Sequence, residues 1–246
     1  MYNSPMATKE LLEKSSERKF NYQKQLEKVL KKIQSNPKED GSKPTLCLHA
    51  CCGPCSSYVL EYLSEVFDIT VVFYNPNVYP QEEYYRRLSE LKELYSRFPP
   101  VIENKVKLVE FPYNPEEYYS FINVKNEPEM AKEPEKGERC RRCYELRLKC
   151  TYNYANEHGF DYFCTTLSIS SFKDAEKINQ EGLKLSGGFL WRGRRPPESH
   201  EPGPKWLPSD FKKKGGFDRS LELTEEYGLY RQEYCGCVYS AESLKI

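Results

Sequence analysis

The stretch Thr45-Leu46-Cys47-Leu48-His49-Ala50-Cys51-Cys52-Gly53-Pro54-Cys55 decides the fold. It lies inside the longest run free of Lys, Arg, Asp and Glu, residues 44–60, and its first half is apolar enough for a strand buried on both faces. Gly53-Pro54 ends that strand, and a helix follows with Tyr58, Val59, Tyr62, Leu63 and Val66 on one face. Outward from this unit the alternation continues. Residues 68–74 read as a second strand, closed by the turn chemistry of Asn75-Pro76-Asn77, and residues 80–98 as a helix with Tyr84, Leu88, Leu91 and Tyr95 aligned. A third strand is expected at 105–111 and a short helix at 116–124. Helices at 142–158, 172–185 and 217–227 then alternate with strands at 161–167 and 206–208. Such alternation predicts an α/β fold: a parallel sheet with helices on both faces. Ligands of such sheets bind beyond the carboxyl ends of the strands, and the first cysteine cluster sits at one of those ends.

Residues 1–43 read as an N-terminal helical extension to a domain of residues 44–246. Leu26, Val29, Leu30 and Ile33 fall at helical spacing, which predicts an amphipathic helix packed on the main domain and ending before Asn36-Pro37. Across the whole chain, 37 basic residues balance 37 acidic ones, which excludes a globally basic nucleic-acid coat; a polyanionic partner must meet a local patch. An aromatic content of 14% excludes a disordered chain. No stretch is apolar enough to span a bilayer, and the charged N-terminus lacks the apolar core of a signal peptide. A cytoplasmic protein without a membrane partner is therefore expected.

The ten cysteines are unevenly placed: Cys51, Cys52 and Cys55; then Cys140 and Cys143; then Cys235 and Cys237, with Cys47, Cys150 and Cys164 apart. Clusters joined only by folding suit metal ligation better than a disulfide framework. Cys52-Gly53-Pro54-Cys55 matches the thioredoxin redox motif at a strand-to-helix turn, where a helix N-terminus lowers a thiol pKa. Against that reading stand the third sulfur of Cys51, the absence of a preceding Trp and the two further clusters. Cys140-Arg141-Arg142-Cys143 puts two sulfurs on one face of a helical turn, a spacing suited to zinc or to one edge of an iron–sulfur cube. In Cys235-Gly236-Cys237 the central glycine lets the backbone approach an ion closely. Cys47, Cys150 and Cys164 have apolar neighbours and read as packing residues. Seven clustered sulfurs exceed the four that one cube or one zinc needs, which suggests two adjacent centres or one centre plus reactive thiols.

Five blocks carry a resemblance: Leu48-His49-Ala50-Cys51-Cys52-Gly53-Pro54-Cys55, Phe73-Tyr74-Asn75-Pro76-Asn77-Val78-Tyr79-Pro80, Gly137-Glu138-Arg139-Cys140-Arg141-Arg142-Cys143, Leu207-Pro208-Ser209-Asp210-Phe211-Lys212-Lys213 and Tyr230-Arg231-Gln232-Glu233-Tyr234-Cys235-Gly236-Cys237. In content and order they resemble the signature blocks of the epoxyqueuosine reductase QueH family. The resemblance implies a Rossmann-like, HUP-type domain with an iron–sulfur site at the carboxyl ends of its strands. It implies two-electron reductive deoxygenation of epoxyqueuosine to queuosine at the wobble position of tRNA, the last step of queuosine synthesis, without cobalamin. It also implies a [4Fe–4S] cluster held by Cys51, Cys52, Cys140 and Cys143, and an adjacent metal ion, iron, held by Cys55, Cys235 and Cys237. Such an ion, with an open position, would act on the epoxide oxygen as a Lewis acid.

Asp210 and His49, near strand ends, are candidates for proton delivery, His49 reading better as a satisfied structural histidine. Residues 184–219 carry nine basic side chains against four acidic, among them Lys212, Lys213 and Lys214. Arg139, Arg141, Arg142 and Arg147 add a basic patch beside the second cysteine pair, and Tyr74 and Tyr230 are candidates to stack on a splayed wobble base. Electrons must come from a donor that the sequence does not identify. Residues 186–204 depart from the family pattern, with four glycines, four prolines, Trp191 and three arginines (Arg192, Arg194, Arg195). Two other functions stay open at this point: a thiol–disulfide oxidoreductase built on Cys52 and Cys55, and a zinc-stapled RNA-binding module.

Overall fold

The computed structural model describes residues 20–187 and 203–242. Five parallel strands, β1 (Thr45–His49), β2 (Asp68–Phe73), β3 (Lys107–Glu110), β4 (Tyr162–Thr165) and β5 (Lys205–Trp206), form one sheet in the order β3-β2-β1-β4-β5. The helices are α1 (Tyr22–Ser35), α2 (Gly53–Leu63), α3 (Gln81–Arg97), α4 (Pro99–Glu103), α5 (Pro115–Ile122), α6 (Glu138–Glu157), α7 (Ala175–Leu185), α8 (Gly216–Glu226) and α9 (Val238–Glu242). Cys47 of β1 stands opposite Thr70 on one side and Phe163 on the other. Leu46, Leu48, Ile69, Val71, Val72 and Phe163 are fully buried, as a central parallel sheet covered on both faces requires. The chain moves outward from β1 through β2 to β3, then crosses back to place β4 on β1's other flank. The strand order reverses between β1 and β4, and a crevice forms at such a switch point.

Local chemistry sets boundaries that periodicity misses. Gly137 caps α6, so the helix begins at Glu138, four residues before the expected start, and Cys140 and Cys143 fall three apart within it. The side chain of Thr165 accepts from Leu167 N at 3.1 Å, ending β4 and opening a 3₁₀ turn over Thr166–Ile169 where a longer strand is expected. Asp174 accepts from Glu176 N and Lys177 N, which delays α7 to Ala175. Helix α1 is capped by Asn21 and buries Leu26 and Leu30 in the same core as the sheet; the Tyr22 hydroxyl donates to Glu176 on α7. Residues 1–19 lie outside the described residues, as do residues 188–202 with Trp191, Arg192, Arg194 and Arg195. Trp206 of β5 is fully buried, its indole donating to Asn179 Oδ1 at 3.0 Å and packing over Gly182 of α7. Among the described residues no helix is long and apolar enough to cross a membrane.

Candidate metal centre

Cys51 lies two residues past β1, and its sulfur is 3.9 Å from Thr166 Oγ1, just past β4, so the first cluster occupies the switch point. Cys52 caps α2, and Gly53-Pro54 forms the first helical turn, which aims the helix N-terminus at the sulfurs. The sulfurs of Cys51, Cys52 and Cys55 all lie within 4.8 Å of one another, with Cys51 and Cys52 3.7 Å apart. Two thiolate–metal bonds of about 2.3 Å at a tetrahedral angle separate their sulfurs by about 3.8 Å, so the donor set fits a thiophilic metal. Gln232 Nε2 adds an N–H···S bond of 3.0 Å to Cys52.

The other sulfurs converge on the same end of the sheet. Cys143 is buried with Cys237, Tyr118 and Ile122, while Cys140, half-buried, lies on the same face of α6. The Cys235–Cys237 loop is tied down at several points. Tyr79 N donates to Gly236 O at 2.7 Å, Arg87 donates to the carbonyls of Cys235 and Tyr234 at 3.3 and 3.4 Å, and Ser240 Oγ accepts from Cys235 N at 3.2 Å. Arg87 is held in turn by Glu83 at 2.7 Å.

The electrostatics are those of crowded, buried thiols beside buried cations. Hydrogen bonds from Cys52 and Cys55 hold the Cys51 thiol well below its ordinary range, with Lys173 and Arg147 helping. Burial pushes Cys52 up to about 12, and Cys55, donating to both neighbours, also lies well above its usual value. Burial raises Cys140 to about 11 and Cys143 to about 12, and Cys235 adds to both. A cation would relieve this crowding by replacing the protons. Arg139, Arg147 and Lys173 are all buried, and among the described residues none pairs with a carboxylate. Buried charges are normally compensated, and a set of metal-bound thiolates would supply that compensation here.

A cavity of about 70 Å³ opens beside the centre. Cys55, Cys235, Phe172, Lys173, Arg231 and Tyr234 line it, whereas Cys51, Cys52, Cys140 and Cys143 do not. Phe172 and Lys173 carried no signal in the sequence; they reach the centre through the bend between the 3₁₀ turn and α7. The packing residues behave as such. Cys47 and Cys164 are fully buried and donate to the carbonyls of Thr151 and Leu207, and Cys150 is half-buried on α6.

Several expected site residues are placed elsewhere. Asp210 is buried but engaged by Lys212 and Lys213, and it does not line the cavity. Lys214 pairs with Glu27, so all three lysines of the run have carboxylate partners. Arg141 is bound by Glu138, Glu145 and Glu181, and Arg142 by Glu138 and Glu127. Arg139 and Arg147 are interior, so the surface patch expected beside the second pair is a carboxylate-neutralised face above two buried cations. Tyr74 is buried edge-on against Phe111 with its hydroxyl on Glu117, and Arg86 covers the ring of Tyr230 at 3.3 Å; neither ring lines the cavity. His49 is fully buried, its Nδ1 2.9 Å from Thr165 Oγ1 and its Nε2 facing the Arg147 guanidinium at 3.3 Å, and burial, with Arg147 adding, presses its pKa down to about 3. It is a satisfied structural residue.

Fold and site together define an α/β protein with a cluster of buried cysteines, a donor set for a thiophilic metal, at the carboxyl ends of parallel strands. The sequence profile described as Epoxyqueuosine reductase QueH matches residues 46–243, and the chain belongs to that family. It is similar to the epoxyqueuosine reductases QueH of Staphylococcus epidermidis (38% identical, covering 94% of this chain and 89% of that one) and Streptococcus pyogenes (39%, 91% and 79%). The same enzyme of Staphylococcus aureus is 36% identical over 94% of this chain and 88% of its own.

Proposed function

We propose that this chain reduces epoxyqueuosine to queuosine at the wobble position of tRNA, without cobalamin. Cys51, Cys52, Cys140 and Cys143 would hold a [4Fe–4S] cluster, and Cys55, Cys235 and Cys237 an adjacent iron. The observation that supports this division is the cavity wall: Cys55 and Cys235 line the space a substrate would enter, and the other five sulfurs, Cys237 of the second set among them, do not. When bound, a cube held by Cys51, Cys52, Cys140 and Cys143 would supply single electrons, and an ion held by Cys55, Cys235 and Cys237 would supply Lewis acidity toward the epoxide oxygen. The overall reaction takes two electrons and two protons; both C–O bonds of the epoxide break, the ring carbons become an alkene, and the oxygen leaves as water.

The chain's own residues support the substrate's side of this chemistry. Phe172, 48% exposed at the cavity, offers a free aromatic face for a splayed base, a role that Tyr74 and Tyr230 are badly placed to fill. Lys173, 5% exposed in the same wall, sets a positive charge where the oxygen gains negative charge. Lys212, Lys213 and Lys214 remain candidates for phosphate: the Lys214–Glu27 pair lies at the surface and exchanges readily, and buried Asp210 can keep one of Lys212 and Lys213 while the other turns outward. An external donor must supply the electrons.

Anaerobically purified protein should show a broad visible absorption that dithionite bleaches, and should convert epoxyqueuosine in tRNA to queuosine, read by mass spectrometry of the digested nucleosides. Cys237→Ala should keep the absorption and lose the conversion. A colourless protein holding stoichiometric zinc, or full conversion by Cys237→Ala, would overturn the two-centre reading.

A further inference from the structure

Arg147 lies one helical turn past Cys143 on α6 and is 1% exposed. Two corners of its guanidinium are fixed: Nη2 donates to Asn75 Oδ1 at 2.6 Å, and Nε donates to His49 Nε2 at 3.3 Å, in the His49 tautomer whose Nδ1 donates to Thr165 Oγ1. Asn75 is itself anchored, its amide donating at 2.9 Å to the carbonyl of Ala50, the residue before Cys51. Neither partner carries negative charge, and among the described residues no carboxylate pairs with Arg147. The third corner, Nη1, is buried without a hydrogen-bond partner among the described residues. Burial opposes the charge, but a guanidinium keeps its proton even when buried, and thiolates at Cys143, Cys51 and Cys235 would favour that charge further.

We infer that Arg147 is a positioning residue for the thiolate centre: a fixed counter-charge, held by Asn75 and His49, whose Nη1 donates to sulfur and sets how readily the centre accepts an electron. This rests on the reading of Cys51, Cys52, Cys140 and Cys143 as cluster ligands. Reduction adds negative charge to a centre that is already anionic. Net charge and hydrogen bonds to sulfur are the protein's levers on the potential of such a centre. An arginine suits the task because its planar fork reaches three partners at once without losing its charge, which a lysine cannot do.

The test compares Arg147→Met, which keeps bulk and removes charge, with Arg147→Lys, which keeps charge and removes the fork. Anaerobic spectroelectrochemical titration reads the midpoint potential of each, with iron and acid-labile sulfide counted on the same samples. Arg147→Met should favour the oxidised centre at least tenfold, about 59 mV for one electron, at the parent's iron content. Arg147→Lys should shift the same way by less. Unchanged potentials in both variants would overturn the inference. If Arg147→Met does not fold or load, Arg147→Lys decides alone: a lowered potential supports the inference and the parent's potential overturns it. A parent protein without an iron–sulfur chromophore would sink the cluster reading and this inference with it; a chromophore indifferent to Arg147 sinks only this inference.

Discussion

Gly236→Ala should open the Cys235–Cys237 loop while leaving the sheet intact. Gly236 has φ +120°, a backbone conformation that side-chain-bearing residues avoid, and a Cβ there would lie 2.8 Å from Arg87 Nη1 and 3.3 Å from Val78 Cγ2. Arg87 cannot swing away freely, because it is buried and held by Glu83 and two loop carbonyls. Backbone strain of this kind costs about 1–3 kcal/mol. The nearest relief is local: releasing the Tyr79 N–Gly236 O bond lets the loop lift off Arg87. An opening equilibrium biased by that strain rises roughly 5- to 150-fold. Cys237, buried in the parent, then reports the opening directly through its rate of alkylation in reduced, metal-free protein, followed by mass spectrometry. Cys164, fully buried within β4, is the internal control and should react at the parent's rate in both proteins. Alkylation of Cys237 at the parent's rate would refute the reasoning, and equal acceleration of Cys164 would show that the strain had spread to the whole fold.

Gly182→Ala drives a Cβ to within 2.2 Å of the buried Trp206 indole, so it should cost about 1–3 kcal/mol and lower the melting midpoint by roughly 2–4 °C per kcal/mol; an unchanged melt would refute it. With the His49 pKa pressed down to about 3, the unfolded chain takes up a proton below about pH 6.5 that the folded chain refuses until near pH 3. Stability should therefore fall as pH drops through that window, and His49→Gln should flatten the dependence of the unfolding midpoint between pH 6 and 4; parallel slopes would contradict this. Cys140→Ala or Cys143→Ala should lose visible absorption and iron, whereas Cys150→Ala should keep both, and equal iron loss from Cys150→Ala would break the division between ligands and packing residues. Replacing Lys212, Lys213 and Lys214 by Gln should weaken tRNA binding and reduce the salt dependence by roughly 0.7–0.9 log units for each phosphate no longer neutralised, while reduction of the free nucleoside changes little. Equal losses on tRNA and nucleoside would mean that these lysines support Asp210 and Glu27 instead.

The parallel α/β fold was legible in the sequence because each unit declares itself locally. Residues 45–55 combine an apolar run with a Gly-Pro stop, and α1, α3 and α8 follow their apolar periodicity to within a few residues. The seven clustered cysteines were legible for a similar reason: two or three sulfurs within five residues have few structural uses outside ligation. The ends of β4, α6 and α7 were less so, since one side-chain cap or turn bond moved each of them. What only the tertiary structure decided is where charge goes. Arg139, Arg141, Arg142 and Arg147 look alike within nine residues of sequence, yet the helical twist turns Arg141 and Arg142 toward surface glutamates and Arg139 and Arg147 into the interior. Phe172 and Lys173 reach the cavity, and Tyr74 and Tyr230 miss it, because the chain crosses from β3 to β4 and brings distant loops to one switch point. Residue type and spacing identify groups able to bind a metal, but burial and the path of the chain determine which charges face it, and neither is a property of any short segment.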